Sequence, residues 1–204
     1  MTKVIDYYFT PISPFAYLGS RGLARLAQAH DVEVRVKPVD YSMIFPASGG
    51  LPLGKRAPQR QSYRMIELAR WRDHLDLPMN LEPAFFPTSD QNAARMILAA
   101  GETGGNPLRL SQAILCAVWE QERDINDMAT LMALAQENGE DPVALRDHAQ
   151  AQGSHDLWQK LSHEALNLGV FGAPTYALEG ELFWGQDRLS FLERKLAGDQ
   201  ANKD

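Results

Sequence analysis

Ser13 and Pro14 are the first residues whose types and positions could do chemistry. They stand in the segment FTPISPFAYLGS, after a β-branched and aromatic run at 3–9 and before a helical pattern. A serine followed by a proline is typical of a helix N-cap and its first helical position. The first N–H groups of a helix lack partners and carry partial positive charge, so they stabilise an anion. The segment therefore predicts either an ordinary helix cap at Ser13 or a hydroxyl that donates to an anion brought by a ligand.

The cysteine content limits the chemistry that this turn can perform by itself. In many redox proteins such a strand-to-helix turn carries two cysteines three positions apart, whereas this chain has Ser13 and Ala16 there. The single cysteine, Cys116, lies in the apolar stretch AILCAVW, which predicts an inert buried thiol, and it excludes an intrachain disulfide. The turn therefore cannot act as a dithiol, but it could stabilise a thiolate that a ligand supplies. The lack of disulfides fits a reducing cytoplasm, where we expect the protein.

Pro174 is the second feature of interest, because it stands directly before the strand-like stretch TYAL. Proline cannot donate to a sheet ladder and is confined to strand starts, edges and bulges. A cis Ala173–Pro174 bond would turn the backbone of Ala173 outward, where it could pair with a peptide-like ligand. A trans turn proline is the alternative.

Strands are expected only near the two ends of the chain. A β-α-β unit with an alternating second strand at 32–39 opens it, and a hairpin (TYAL and ELFW) with a helix at about 188–196 closes it. Between them, prolines and glycines at 43–58 predict a long loop, and helical patterns follow at 60–75, 89–102, 107–122, 125–139, 141–152 and 155–168. We therefore predict an α/β fold in which residues 1–41 and 156–204 form one mixed sheet domain and residues 42–155 form an all-helical insertion.

The overall composition narrows the class of protein. Of the 204 residues, 45% are hydrophobic and 23% are charged, as in an ordinary soluble globular protein. No apolar run reaches the roughly 20 residues of a membrane-spanning helix, and the first residues lack the pattern of a secretory signal. The net charge of −6 gives no general reason to expect nucleic-acid binding. The five histidines show no pairing typical of metal ligands, so we predict no metal site.

Several motifs, taken together and in order, carry a resemblance to a known family. The segments SPFAYLG, RWRDHLDLP, LGVFGAPT and FWGQDRLSFL resemble those of the 2-hydroxychromene-2-carboxylate isomerases, to which kappa-class glutathione transferases are related. The resemblance runs from about Lys3 to about Leu196. It implies a thioredoxin-like fold with a large all-helical, DsbA-type insertion, glutathione as cofactor, and a homodimer.

The resemblance also implies roles for five positions. Ser13 matches the serine that contacts the glutathione sulfur, and Ala173 matches the residue whose backbone pairs with the cysteinyl part. Gln186 and Asp187 match the positions that hold the γ-glutamyl end, where a carboxylate suits the free ammonium; Asp187 could also be the N-cap of the last helix. Arg60 falls where the family usually has an anion-binding lysine, although a solvated charge at a helix start is equally compatible with the sequence.

The implied activity is glutathione-dependent cis-trans isomerisation of an aromatic unsaturated keto acid. Reversible addition of a thiolate to the conjugated double bond would let that bond rotate, with no net redox change. A kappa-class-like glutathione transferase or peroxidase is the alternative, and a binding protein that has lost glutathione is a third reading. The chain departs from the family at three places. Thr10 stands where an acidic residue is usual, Ser89 stands where an asparagine is usual, and residues 49–51 lie near the place of another asparagine. These departures concern the substrate more than the cofactor.

Some residues keep two interpretations at this stage. The cation for a substrate carboxylate could come from any of four side chains: Lys55, Arg56, Arg60 and Arg64. Four aromatic side chains could line an apolar cleft or form the interface between sheet and helices: Tyr41, Phe45, Phe85 and Phe86. Trp184 could stack on an aromatic substrate or belong to the core or rim, and Tyr17 could face the site or the core.

Overall fold

The structure is a computed structural model that describes residues 3–201, with the side chains of 199–201 left out. It confirms the α/β, thioredoxin-like architecture with a large helical insertion. The elements follow in the order β1 (Val4–Phe9), α1 (Pro14–His30), β2 (Glu33–Pro38), α2 (Tyr41–Ser48), α3 (Pro58–His74), α4 (Gln91–Glu102), α5 (Pro107–Trp119), α6 (Met128–Glu137), α7 (Pro142–Gln150), α8 (Gln152–Leu168), β3 (Thr175–Leu178), β4 (Glu181–Trp184) and α9 (Leu189–Ala201). Two short 3-10 turns, Leu53–Lys55 and Gln186–Arg188, precede α3 and α9.

The sheet has the strand order β2-β1-β3-β4. β1 pairs in parallel with β2, whereas β1 with β3 and β3 with β4 are antiparallel. A two-residue turn joins β3 to β4, with φ values of +53° at Glu179 and +84° at Gly180. Two positive φ values are typical of the tight turn whose twist matches the flanking strands. The predicted hairpin is therefore confirmed.

Both faces of the sheet are covered. Ile5, Tyr7 and Phe9 of β1 point into the main hydrophobic cluster, which includes side chains of α1, α4 and α5. Tyr8 points to the opposite face, into a second cluster with residues of α2, α4 and α8. This alternation follows from the period of two along a strand. Because the main cluster contains sheet and insertion side chains alike, the insertion has no separate core, and the domain boundaries expected near 41 and 155 stay a prediction.

The expected loop at 43–58 was wrong in its first part, which forms α2. Asp40 is the N-cap, and its side chain accepts the N–H of Ser42 at 2.8 Å. Tyr41 and Ile44 are buried against α8, which stabilises a short helix in spite of Pro46 within it. Burial, a tertiary effect, overrides the helix-breaking tendency that the sequence suggested.

No helix among residues 3–201 is long and apolar enough to cross a membrane.

Candidate functional site

Ser13 is the N-cap of α1. Its Oγ accepts the N–H of Ala16 at 3.2 Å, and its own N–H donates to the carbonyl of Thr10 at 2.9 Å. The side chain is buried, with 7% of the residue exposed. An Oγ that accepts one hydrogen bond still carries a hydrogen that it can donate, so capping and donation to a ligand are compatible.

The strand register brings the two ends of the chain to one edge of the sheet. Tyr8 pairs with Thr175, and Thr175 pairs with Trp184. The segments that follow β1, precede β3 and follow β4 are therefore neighbours. They contain Ser13, Ala173 and the 3-10 turn Gln186–Arg188, respectively.

The Ala173–Pro174 peptide bond is cis. The carbonyl of Pro174 accepts the N–H of Gly185 at 2.9 Å, which fixes this segment to the start of the Gln186–Arg188 turn. Ala173 itself is half-buried and makes no backbone hydrogen bond with any residue between 3 and 201. Its N–H can therefore donate to a ligand, and its C=O can accept from one, in strand-like fashion.

Gly185 sets the position of Asp187. The backbone at Gly185 has φ +115° and ψ 145°, a combination that only glycine adopts without strain. A Cβ at this position would lie 2.5 Å from Oδ1 of Asp187. Asp187 is not the N-cap of the last helix, because the 3-10 turn already begins after Gly185. Its carboxylate instead pairs with Arg188 at 3.0 Å.

These segments border a cleft of about 700 Å³ between the sheet edge and α3. Four of the five site residues expected from the sequence line it: Arg60, Ala173, Gln186 and Asp187. Ser13 does not line the cleft, but Phe15, two residues further along, does. Gln186 is the most enclosed of the four, with 7% exposed, whereas Arg60 is exposed in the first turn of α3.

The fourth side of the cleft is one face of α3. Four side chains at helical spacing along that face line the cleft: Arg60, Arg64, Glu67 and Trp71. Arg56, just before α3, lines it too. Lys55, the remaining cation considered from the sequence, is exposed and does not line it.

The aromatic lining of the cleft differs from the expected one. None of these four aromatic residues lines it: Tyr41, Phe45, Phe85 and Phe86. Tyr41, Phe45 and Phe86 pack in the hydrophobic clusters instead, and Phe85 is exposed. The aromatic side chains that do line it are Phe15, Tyr63, Trp71 and Trp184. Trp184 is 52% exposed and packs edge-on against Phe171 at 4.5 Å, which makes it a rim residue. The helical spacing of Tyr63 and Trp71 relative to Arg60 could have identified the face of α3 that lines the cleft.

Tyr17 faces the core rather than the cleft. It is 1% exposed, and its hydroxyl donates to Glu120 at 2.7 Å. Cys116 is close to the same carboxylate, with Sγ at 3.4 Å from Oε1. Burial, reinforced by Glu120, raises the pKa of the Cys116 thiol to about 11, so the thiol is protonated and unreactive at neutral pH.

Thr10 has a partner that the sequence did not reveal. Its hydroxyl donates to the carboxylate of Asp90, the residue before α4. Burial raises the pKa of Asp90, partly offset by the hydrogen bond from Thr10. Thr10, at the place where the family resemblance led us to expect an acidic residue, thus contacts a carboxylate from the residue before α4.

Within the described part of the chain, no group of three His, Cys, Asp or Glu side chains is placed to hold a metal ion.

Comparison with known proteins supplies the family. The DSBA-like thioredoxin domain matches residues 4–197. A 2-hydroxychromene-2-carboxylate isomerase from Sphingobium xenophagum is 32% identical over 197 residues, which cover 96% of this chain and 99% of the relative. Glutathione S-transferase kappa 1 from Rattus norvegicus is 23% identical over 93% of this chain and 89% of its own length. A solved structure of a 2-hydroxychromene-2-carboxylate isomerase superposes with a TM-score of 0.84 at 25% identity, covering 98% of this chain and 99% of that one. The chain therefore belongs to the DsbA-like thioredoxin family and, within it, to the 2-hydroxychromene-2-carboxylate isomerase family.

Proposed function

We propose that the protein is a glutathione-dependent cis-trans isomerase of an aromatic unsaturated keto acid, such as the ring-opened form of 2-hydroxychromene-2-carboxylate. The observation that carries the proposal is that one cleft combines an unpartnered peptide backbone, a carboxylate and a row of arginines, next to the start of α1. The isomerase names of the relatives support the reaction type. A cytoplasmic homodimer is part of the same proposal.

The cleft residues have the chemistry that glutathione requires. The half-buried backbone of Ala173 suits the peptide-like cysteinyl part. Asp187 suits the γ-glutamyl ammonium, since its pair with Arg188 is exposed and such a pair is weak enough for a ligand to compete with it. Arg60 suits a carboxylate, to which a guanidinium can donate two parallel hydrogen bonds.

Ser13 is the residue that acts on the sulfur. Its Oγ already accepts from Ala16, which leaves the hydroxyl hydrogen to donate. Such a donation and the partial charge of the α1 N-terminus both stabilise a thiolate over a thiol. Glutathione, when bound, supplies a thiolate that can add reversibly to a conjugated double bond and so permit its rotation.

The other side chains orient the substrate. Arg64 of α3 and Arg56 just before it provide cations for its carboxylate, and Tyr63 and Trp184 offer aromatic surface to its ring. The reaction needs neither a second cysteine nor net oxidation, which agrees with the isolated, protonated Cys116.

The test is turnover of 2-hydroxychromene-2-carboxylate followed by NMR, with and without glutathione. We expect isomerised product only with glutathione, and glutathione recovered unchanged. Stable glutathione adducts would instead support the alternative of a kappa-class-like transferase or peroxidase, which the similarity to the rat kappa enzyme favours as second candidate. Turnover that is independent of glutathione would contradict both.

A further inference from the structure

The arginines of the cleft have an unusual environment for cations. Arg56, Arg60 and Arg64 all line it, and Arg64 lies one helical turn after Arg60. Among the residues that the structure describes, none of the three forms an ion pair with a carboxylate. The two carboxylates of the cleft are engaged elsewhere, since Glu67 pairs with Arg70 at 2.8 Å and Asp187 with Arg188 at 3.0 Å.

Arg64 is the most enclosed of these three cations. Burial, and next the charge of Arg56, lowers the pKa of Arg64 to about 10. Burial and the charge of Arg60 likewise lower the pKa of Arg56. Arg56 and Arg64 remain protonated at neutral pH, so the cleft holds positive charge that is partly removed from water and repels itself. An anionic ligand would compensate for the lost hydration and for the repulsion between the cations, because partly buried cations are normally paired.

The neighbours of Arg64 hold it in place without neutralising it. Its guanidinium lies 5.5 Å from the centre of the Phe86 ring, and Nη1 contacts the sulfur of Met65 at 3.6 Å. Arg56 is held more firmly, because its Nε donates to the carbonyl of Leu51 at 2.8 Å and its guanidinium lies 5.8 Å from the Phe45 ring. Arg64 thus keeps donors for a ligand, on a rigid helix and beside aromatic side chains.

We propose that Arg64, supported by Arg56, binds the carboxylate of the aromatic substrate and determines the preference for an acid over a neutral compound. Arg60, in the exposed first turn of α3, is left to glutathione. The inference rests on the proposed function for the identity of the two ligands. The observations that support it are the contacts of Arg64 with Phe86 and Met65 and its place in the cleft lining.

The experiment uses calorimetric titration with trans-cinnamate, an aromatic unsaturated carboxylate, and with cinnamide, its neutral counterpart. Arg64→Met removes the charge and keeps the apolar stem, and Arg64→Lys keeps a charge without the planar fork. Arg72→Met is the matched control, because Arg72 lies on the same helix, and both Arg72 and its partner Asp73 are outside the cleft lining. We expect the wild type and Arg72→Met to prefer cinnamate over cinnamide. Arg64→Met should weaken cinnamate binding about tenfold or more, with cinnamide binding unchanged, and Arg64→Lys should lie between.

A parallel titration with glutathione separates this proposal from the function it rests on. Lack of glutathione binding by the wild type, with the cinnamate result as expected, would reject the proposed function and retain the role of Arg64. If Arg64→Met weakens glutathione and leaves cinnamate unaffected, Arg64 serves a glutathione carboxylate and the inference is overturned. A wild type that does not distinguish cinnamate from cinnamide, including one that binds neither, overturns it too.

Discussion

At the scale of single residues, Ser13 combines a structural and a chemical task. Its Oγ satisfies one of the first N–H groups of α1, and its hydrogen remains for a ligand. Both tasks depend on the same hydroxyl, so substitution should affect stability and reactivity together. A second N-cap elsewhere in the chain allows the two effects to be separated.

Ser13→Ala should lower the rate of the proposed reaction by about 10²-fold, the usual effect of losing one donor to a developing anion. It should also lower the free energy of unfolding by about 1 kcal/mol, through loss of the cap. The thiolate absorbance of bound glutathione in the ultraviolet and the turnover rate measure the first effect, and chemical denaturation measures the second.

Asp141→Ala is the matched control, because Asp141 caps α7 through the N–H groups of Val143 and Ala144. It should lose a similar amount of stability and keep the full rate. Equal rate losses in the two variants would show that Ser13 acts only as a cap.

The sequence was sufficient for residues whose roles are local. Ser13 and Pro14 mark the start of α1 by their types alone, as the N-cap and first helical position. The pair of Thr10 and Asp90 could not be predicted, because its members are 80 positions apart and only the packing of α4 on the sheet brings them together.

At the scale of elements, the turn between β4 and α9 positions the proposed γ-glutamyl site. Gly185 adopts a φ of +115° and approaches Asp187 so closely that a side chain would displace the carboxylate. Gly180, in the hairpin turn, also has a positive φ, +84°, but a Cβ there would meet no other atom within 4 Å. Substitutions at these two glycines therefore distinguish the effect of backbone strain, common to both, from the effect of displacing the Asp187 carboxylate.

Gly185→Ala and Gly180→Ala should each lower the free energy of unfolding by about 1–2 kcal/mol, because both backbones disfavour a side chain. Only Gly185→Ala should weaken glutathione binding, measured by calorimetry, by about tenfold, the effect of misplacing one charged partner. Unaltered glutathione affinity in Gly185→Ala would mean that Asp187 does not hold the ligand.

The junction between β1 and α4 should respond to pH through Asp90. Burial raises the pKa of Asp90 in the folded protein above its unfolded value. The unfolded chain therefore releases this proton more readily, and the folded state loses stability as the pH rises from the unfolded pKa through the folded pKa. Asp90→Asn, which retains an oxygen for Thr10, avoids this loss.

Asp90→Asn should accordingly raise the Tm at pH 7, by about 2–4 °C for each kcal/mol gained. The difference from the wild type should vanish below about pH 3, where the carboxyl is neutral in both states. A variant less stable than the wild type at pH 7 would contradict this account of the buried carboxyl.

Elements with a clear period or cap could be predicted, and those stabilised by burial could not. The alternation in β2 and the two-residue turn between β3 and β4 are local patterns, and both were confirmed. α2 was missed because Pro46 and the following glycines suggest a loop, whereas Ile44 is completely buried against α8. Likewise, the aromatic lining of the cleft depends on which face of α3 turns inward.

At the scale of the whole molecule, the insertion and the sheet share their hydrophobic core. Ile97 of α4 and Trp119 of α5 are completely buried in the same cluster as Tyr7 and Phe9 of β1. Unfolding of the helical segment alone would expose this cluster. The site is thus held between two parts that stabilise each other.

We therefore predict a single thermal transition, with equal calorimetric and van't Hoff enthalpies. Ile97→Ala should lower the stability of the whole chain by about 2–5 kcal/mol and keep one transition. Two resolved transitions, or an Ile97→Ala effect confined to one of them, would indicate that the helical segment unfolds independently.

The most direct test of the central claim is calorimetric titration of glutathione into the wild type and Asp187→Asn. Asp147→Asn is the matched control, because Asp147 also pairs with a neighbouring arginine, Arg146 at 2.7 Å, and lies on α7. We predict that glutathione binds to the wild type and Asp147→Asn with equal affinity and to Asp187→Asn about tenfold more weakly. Absence of binding to the wild type would contradict the proposed isomerase and transferase functions alike, and leave a thioredoxin-like protein that does not use glutathione.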